Sequence, residues 1–170
     1  MICHTNEIWI RNGIRVNQMK KHQKYGGSIF EKCLDICRIS PSSVMIHRRI
    51  FDEIGLFDED LIICEDYDLW LRISSKYPVL YLDSMLIKKF GGHADQLSKN
   101  INGIEQFRIQ SLEKILKNLQ LKHKQFNSAR RMVLKKLNIY RSGLIKRNKV
   151  RENDIVEKKI HYWTLMVNSN

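Results

Sequence analysis

Near residue 98 the apolar residues of this chain change period, and that change constrains the fold more than any single motif. Before it they fall in short runs of strand type: Glu7–Arg11, Ile14–Asn17, Ser43–Ile46, Val79–Leu82 and Met85–Lys88. After it, Ile101, Ile104, Phe107, Leu112, Ile115, Leu116 and Leu119 trace a 3.6-residue stripe, and Phe126, Val133, Leu137, Tyr140 and Leu144 trace a second. The pattern predicts an α/β part over 1–98, short strands with flanking helices, followed by a helical extension over 99–170. Charge divides the chain in the same way. From Arg108 to Lys159 sixteen Lys or Arg accompany four acidic residues, which accounts for the whole net charge of +12 and leaves the remainder neutral.

These bounds exclude several classes. No apolar run approaches the roughly 18 residues a membrane span needs, and the first residues lack the layout of a signal peptide, so a cytoplasmic protein is the default expectation. Cys3, Cys33, Cys37 and Cys64 are irregularly spaced, which favours reduced thiols. Cys33 and Cys37, taken with His4 or His22, lack the paired spacing of a zinc site. The basic helices can pack their apolar stripe on the first half with their charges in water, or lie on the anionic inner face of a membrane. No interleaved aromatics or nucleic-acid motif accompany them, so nucleic acid is not an expected partner.

In chain order, Asn12-Gly13 between two β-forming arms predicts a hairpin with a type I′ turn. Lys20–Gly27 reads as a basic loop, either a solvated connector or one that attracts phosphate, and Ser28–Cys37 as a short helix ending before Pro41. A helix over Arg48–Ile54 stops at Gly55. The next helix, from about Glu65 to Ser75, opens with Glu65, Asp66 and Asp68 in its first turn, while Leu69, Trp70 and Ile73 face a core. Carboxylates there complement the helix dipole and its unpaired N–H groups, and a carboxylate set in a cleft can also act as a general base. Tyr77-Pro78 ends that helix. Gly91-Gly92 then lets the backbone bring His93 close to a ligand. The last residues, from Ile160 to Asn170, end in a polar run expected to fray.

Three segments, in this order and spacing, carry a resemblance. They are Ser42-Ser43-Val44-Met45-Ile46 leading to Gly55-Leu56-Phe57-Asp58-Glu59, then Glu65-Asp66-Tyr67-Asp68-Leu69-Trp70-Leu71-Arg72, then Gly91-Gly92-His93-Ala94-Asp95-Gln96. Together they resemble the C-terminal half of the catalytic domain of family 2 glycosyltransferases, whose fold is called GT-A, over roughly Thr5–Ser98. The resemblance implies an inverting transfer of sugar from a nucleotide-diphosphate donor to a saccharide or other hydroxyl acceptor. It places the catalytic base on Asp66, an acceptor-binding or positioning role on Glu65, and a ligand to Mn²⁺ or Mg²⁺ on His93. The family's donor-binding half and its Asp-x-Asp motif have no counterpart here, since Asp58-Glu59-Asp60 comes too late in the fold. The expectation is a fragment or split-gene piece, inactive alone, that works with a separately encoded N-terminal half. The alternatives are a non-catalytic protein pairing with such a half, or a basic peripheral-membrane protein.

Overall fold

Asn12 and Gly13 adopt φ angles of 50° and 77°, so the Asn-Gly pair turns the chain as its letters demand. In the computed structural model, which describes residues 1–92 and 103–166, this turn joins strand β1 (Ile2–Arg11) to β2 (Ile14–Val16), with Arg11 opposite Ile14 and Trp9 opposite Val16. A Cβ at Gly13 would meet nothing within 4 Å, so only backbone strain opposes a side chain there. Gly13→Ala is therefore expected to cost about 1 kcal/mol and Gly13→Asn much less. Thermal melts of the two variants check this.

β1 is the central strand of a four-stranded mixed sheet. One edge pairs antiparallel with β2 and, at the other end, with β3 (Val44–Ile46), where Ile2 faces Ile46. The other edge pairs in parallel with β4 (Leu80–Gly91). The two strands expected over 79–82 and 85–88 are one strand. Asp83 and Ser84 form a bulge, because Thr5 pairs with Leu82 and the next residue, Asn6, pairs with Met85. The bulge is tied down by Asn6 Nδ2 donating to Asp83 Oδ1 at 2.9 Å and by the Tyr81 hydroxyl donating to the same oxygen at 2.7 Å.

The helices of this unit are α1 (Phe30–Cys33), α2 (Arg49–Ile54) and α3 (Glu65–Lys76). Helix α1 is four residues long rather than the ten expected. Before it, Gly27 is drawn into a two-way backbone bridge with Val79, at 2.7 and 2.9 Å, and after it the Leu34 carbonyl accepts the Tyr67 hydroxyl at 2.6 Å. Helix α2 ends as expected at Gly55, whose φ is 85°. Helix α3 is the core helix: Tyr67, Leu69, Trp70, Leu71 and Ile73 are each 1% exposed or less, with Phe30, Leu34 and Ile39 among the other buried residues. Asp68 is also fully buried. It takes Arg72 Nε at 2.8 Å, and Arg72 in turn donates to the carbonyls of Ile54 and Leu56, both at 2.8 Å. The arginine thus ties α3 to the turn that closes α2.

This unit, Met1–Ile104, is followed by a second, Glu105–Asn170. Its described helices are α4 (Ile104–Asn118), α5 (His123–Lys146) and α6 (Val150–Leu165). The stripe residues Leu112, Ile115, Val133 and Leu137 are buried, as the 3.6-residue spacing requires. The chain past Ile160 does not fray where it is described. Trp163 is 2% exposed, its indole N–H donates to Glu113 at 2.9 Å, and Arg130 donates to its carbonyl at 3.0 Å. No helix among the described residues is long and apolar enough to cross a membrane.

Candidate functional site

The start of α3 carries both of the carboxylates singled out by the sequence. Cys64, just before it, has a left-handed φ of 65° and supplies no side-chain cap, so the first N–H groups of the helix look to the acidic residues that follow. Asp66 Oδ1 accepts the Tyr67 N–H at 2.6 Å. That oxygen thus satisfies one of the N–H groups in the first turn of the helix. The second oxygen is engaged differently: Asp66 Oδ2 lies 3.2 Å from the Cys37 sulfur, which is also 3.2 Å from the Ile39 carbonyl. Burial, with the Asp66 charge beside it, pushes the Cys37 thiol well above its ordinary pKa, so it stays protonated and donates. Asp66 is half-buried, and among the described residues no Lys or Arg forms an ion pair with it. Glu65 is also half-buried beside it. His93, the residue expected to ligate a metal, lies outside the described residues.

Sequence reasoning did not anticipate what lies beyond Cys37. Ser40, three residues on, donates to Glu7 Oε1 at 3.0 Å and lies 3.4 Å from Lys89 Nζ. Glu7 is 2% exposed on β1 and also accepts from Trp9 Nε1 at 2.7 Å and from Lys24 Nζ at 3.1 Å. Lys24, which its neighbours in the sequence mark as a solvated connector residue, is buried and donates to Ser43 Oγ at 2.9 Å as well. Burial works against the Glu7 charge, but donation from Trp9 and Lys24 outweighs it and holds the carboxyl below the usual glutamate range. The signal that could have found this pair is weak: a Lys and a Glu 17 residues apart on different elements, with no shared periodicity.

The sign of the Glu7 shift fixes a pH window. A depressed folded pKa contributes stability that is fully present above the unfolded value, here the ordinary 4.5, and is lost as pH falls through the folded value. The stability advantage of the wild type over Glu7→Gln should therefore be flat from neutral pH to about 4.5 and shrink below it. Urea unfolding of both chains across that range measures it.

The network ends at a cleft of about 550 Å³ between the hairpin and the end of β4, with Trp9, Arg11, His22, Lys89, Phe90 and Gly91 in its lining. Trp9 sits with the His22 ring 5.0 Å away and Lys89 Nζ 5.6 Å from its own ring. Gly92, with a left-handed φ of 101°, also lines the cleft and directly precedes His93. Asp66 and the cleft are therefore connected through residues 37–40. The other grouping weighed from sequence does not form: Cys33, Cys37, His4 and His22 gather no trio of metal-binding groups among the described residues, and His4 is buried with its Nε2 2.9 Å from the Tyr25 carbonyl.

Known proteins match only part of the chain. A stretch of 61 residues is 43% identical to an uncharacterized glycosyltransferase of Rickettsia felis, covering 35% of this chain and 10% of that protein. A stretch of the same length is 39% identical to an uncharacterized glycosyltransferase of Rickettsia conorii, again over 35% of the chain and 10% of the relative. A third match, to an uncharacterized glycosyltransferase of Rickettsia bellii, is 37% identical over 60 residues. The matched stretch is thus about a tenth of the length of these relatives. No family model matches the chain, and no solved structure matches it. The partial relatives suggest a glycosyltransferase-like function.

Proposed function

We propose that this chain forms the acceptor side of an inverting, family 2-like sugar transferase of GT-A type, with Asp66 as the general base. The observation that carries the reading is the state of the Asp66 carboxylate. It is oriented by a backbone N–H and a protonated thiol, is half-buried, and forms no ion pair with a described cation. The carboxylate is held in one orientation at a helix start and is only half-buried, whereas Asp68 is fully buried against Arg72. Glu65, its neighbour at the helix start, is assigned to binding and orienting the acceptor hydroxyl.

The nucleotide-diphosphate sugar and a divalent cation, Mn²⁺ or Mg²⁺, belong to this reading through His93 and a donor-binding half. The cation's chemistry is to neutralise charge on the departing diphosphate. The groups named here do the rest: Asp66 takes the acceptor's proton, and Cys37 and the Tyr67 N–H keep its carboxylate aimed. The donor-binding half has a place to attach. Among the described residues β4 pairs only with β1, and Leu82, Leu86 and Phe90 along it are 43%, 66% and 59% exposed. A long strand edge of this kind accepts a further strand. That edge also favours a second reading, in which the chain binds another transferase polypeptide without adding catalysis.

Complementation separates the two. The chain is co-expressed with a donor-binding half, and transfer from a nucleotide-sugar is followed with Mn²⁺ present. Transfer that needs both pieces and needs Asp66 supports the enzyme reading. A stable complex whose transfer is indifferent to Asp66→Asn supports the binding reading. The chain alone should show background transfer only.

A further inference from the structure

From the cleft beside the hairpin we infer that the acceptor is anionic: a saccharide carrying a phosphate or carboxylate, with its sugar face against Trp9 and its charge near Lys89. This rests on the proposed sugar transfer for the word saccharide, and on the cleft itself for the rest. At about 550 Å³ the cleft lies within the range of small-ligand sites. Among the described residues that line it, two, Arg11 and Lys89, are cationic and none is acidic. The carboxylate behind it, Glu7, has a buried cation of its own in Lys24, 3.1 Å away. Its oxygens already accept from Trp9, Ser40 and Lys24. His22 also lines the cleft; its pKa is lowered, first by burial and then by Lys21, Lys89 and Arg38, with Glu7 acting the other way.

The aromatic wall is fixed in place. Trp9 Nε1 is tied to Glu7 at 2.7 Å, which sets the plane of an indole that is only half-buried. Trp70 and Trp163, by contrast, are 1% and 2% exposed. An oriented, partly exposed indole beside an ammonium presents a flat apolar surface next to a positive charge, and a charged sugar carries the complement of both. A neutral sugar would meet the indole without using the cations, and a bare anion would use the cations without meeting the indole.

The test is a titration of the full chain, without donor, by three probes: a hexose phosphate, a hexuronate and the neutral hexose. Inorganic phosphate is a fourth arm. Binding is read by calorimetry and by the fluorescence of Trp9, the tryptophan that is not buried. The anionic sugars should bind at least tenfold more tightly than the neutral hexose and than inorganic phosphate. Comparing phosphate with uronate identifies which anion the cleft takes. Lys89→Ala should weaken binding about tenfold or more, Trp9→Phe should abolish the fluorescence response, and Lys158→Ala, an exposed charge on α6, should change nothing. Equal binding of hexose phosphate and inorganic phosphate overturns the inference, as does equal loss in Lys89→Ala and Lys158→Ala. The outcome is separate from catalysis. Transfer that requires Asp66 in a complex whose cleft ignores anionic sugars refutes this inference and leaves the enzyme reading standing, while binding without transfer does the reverse.

Discussion

Asp66→Asn is expected to lower transfer by about 10²- to 10⁴-fold in an active complex, the range that one general base contributes. The substitution is conservative for the fold. Asparagine keeps an oxygen to accept the Tyr67 N–H, and the Cys37 thiol that loses its carboxylate acceptor still has the Ile39 carbonyl at 3.2 Å. The melting temperature should therefore stay close to that of the wild type. Glu65→Gln should act on acceptor KM more than on kcat, because Glu65 is assigned to binding and not to proton transfer. Cys37→Ala should fall between the two. It leaves the base present and removes one of the two groups that aim it, so a loss of about tenfold or less is expected, in line with small misplacements of a catalytic group. Single-turnover rates of the three variants give this order. Wild-type rates in Asp66→Asn would remove the base assignment, whatever becomes of the others.

Which parts of this arrangement could be seen in the letters depends on how far apart the interacting groups lie along the chain. The hairpin was legible because Asn12 and Gly13 are among the few residues that tolerate positive φ, a demand settled within four residues. Helix α3 was legible because Leu69, Trp70 and Ile73 share one face and Pro78 ends the pattern. The expected helix over Ser28–Cys37 failed because its ends answer to Val79 and Tyr67, which no local window contains. The break expected at Asp83-Ser84 failed for a related reason. Residues poor in β propensity marked a bulge inside a strand whose partner, β1, lies some eighty residues earlier.

The candidate site divides in the same way. Asp66 could be found because acidic residues at a helix start form a compact pattern in sequence. Its thiol partner is 29 positions away, and nothing near Cys37 announces it. Lys24 is the sharper case. Its neighbours Lys20, Lys21 and Gln23 all belong on a wet surface, yet the chain turns it inward, where Glu7 and Ser43 compensate the cost of burying its charge. A local reading of charge assigns such a residue to solvent, and only the fold reveals the carboxylate that makes the alternative tolerable.

Arg72→Ala should be the most damaging single change to the first unit, costing about 3–5 kcal/mol. Three losses combine. Asp68, whose side chain is 0% exposed, would remain as a buried charge without the guanidinium that sits 2.8 Å from it. The carbonyls of Ile54 and Leu56 would lose their donors at the turn where Gly55 reverses the chain. A cavity would also open beside a core helix. Set against a typical domain stability of about 5–15 kcal/mol, this is enough to leave a substantial unfolded population at 37 °C. Arg72→Lys should recover little of it, since one ammonium cannot reach the carboxylate and two separate carbonyls in the planar pattern that arginine provides. The informative control is Asp68→Leu combined with Arg72→Met. Replacing a buried ion pair with apolar groups of similar size is often neutral, so the double variant should be more stable than Arg72→Ala, with the two unpaired carbonyls setting its remaining deficit. Urea denaturation of the three variants measures all of this. A midpoint for Arg72→Ala within about 1 kcal/mol of the wild type would mean that the turn after α2 holds itself. The same clamp lies within two turns of Asp66 on one helix, so partial loosening should also reduce transfer at temperatures where the chain is still folded.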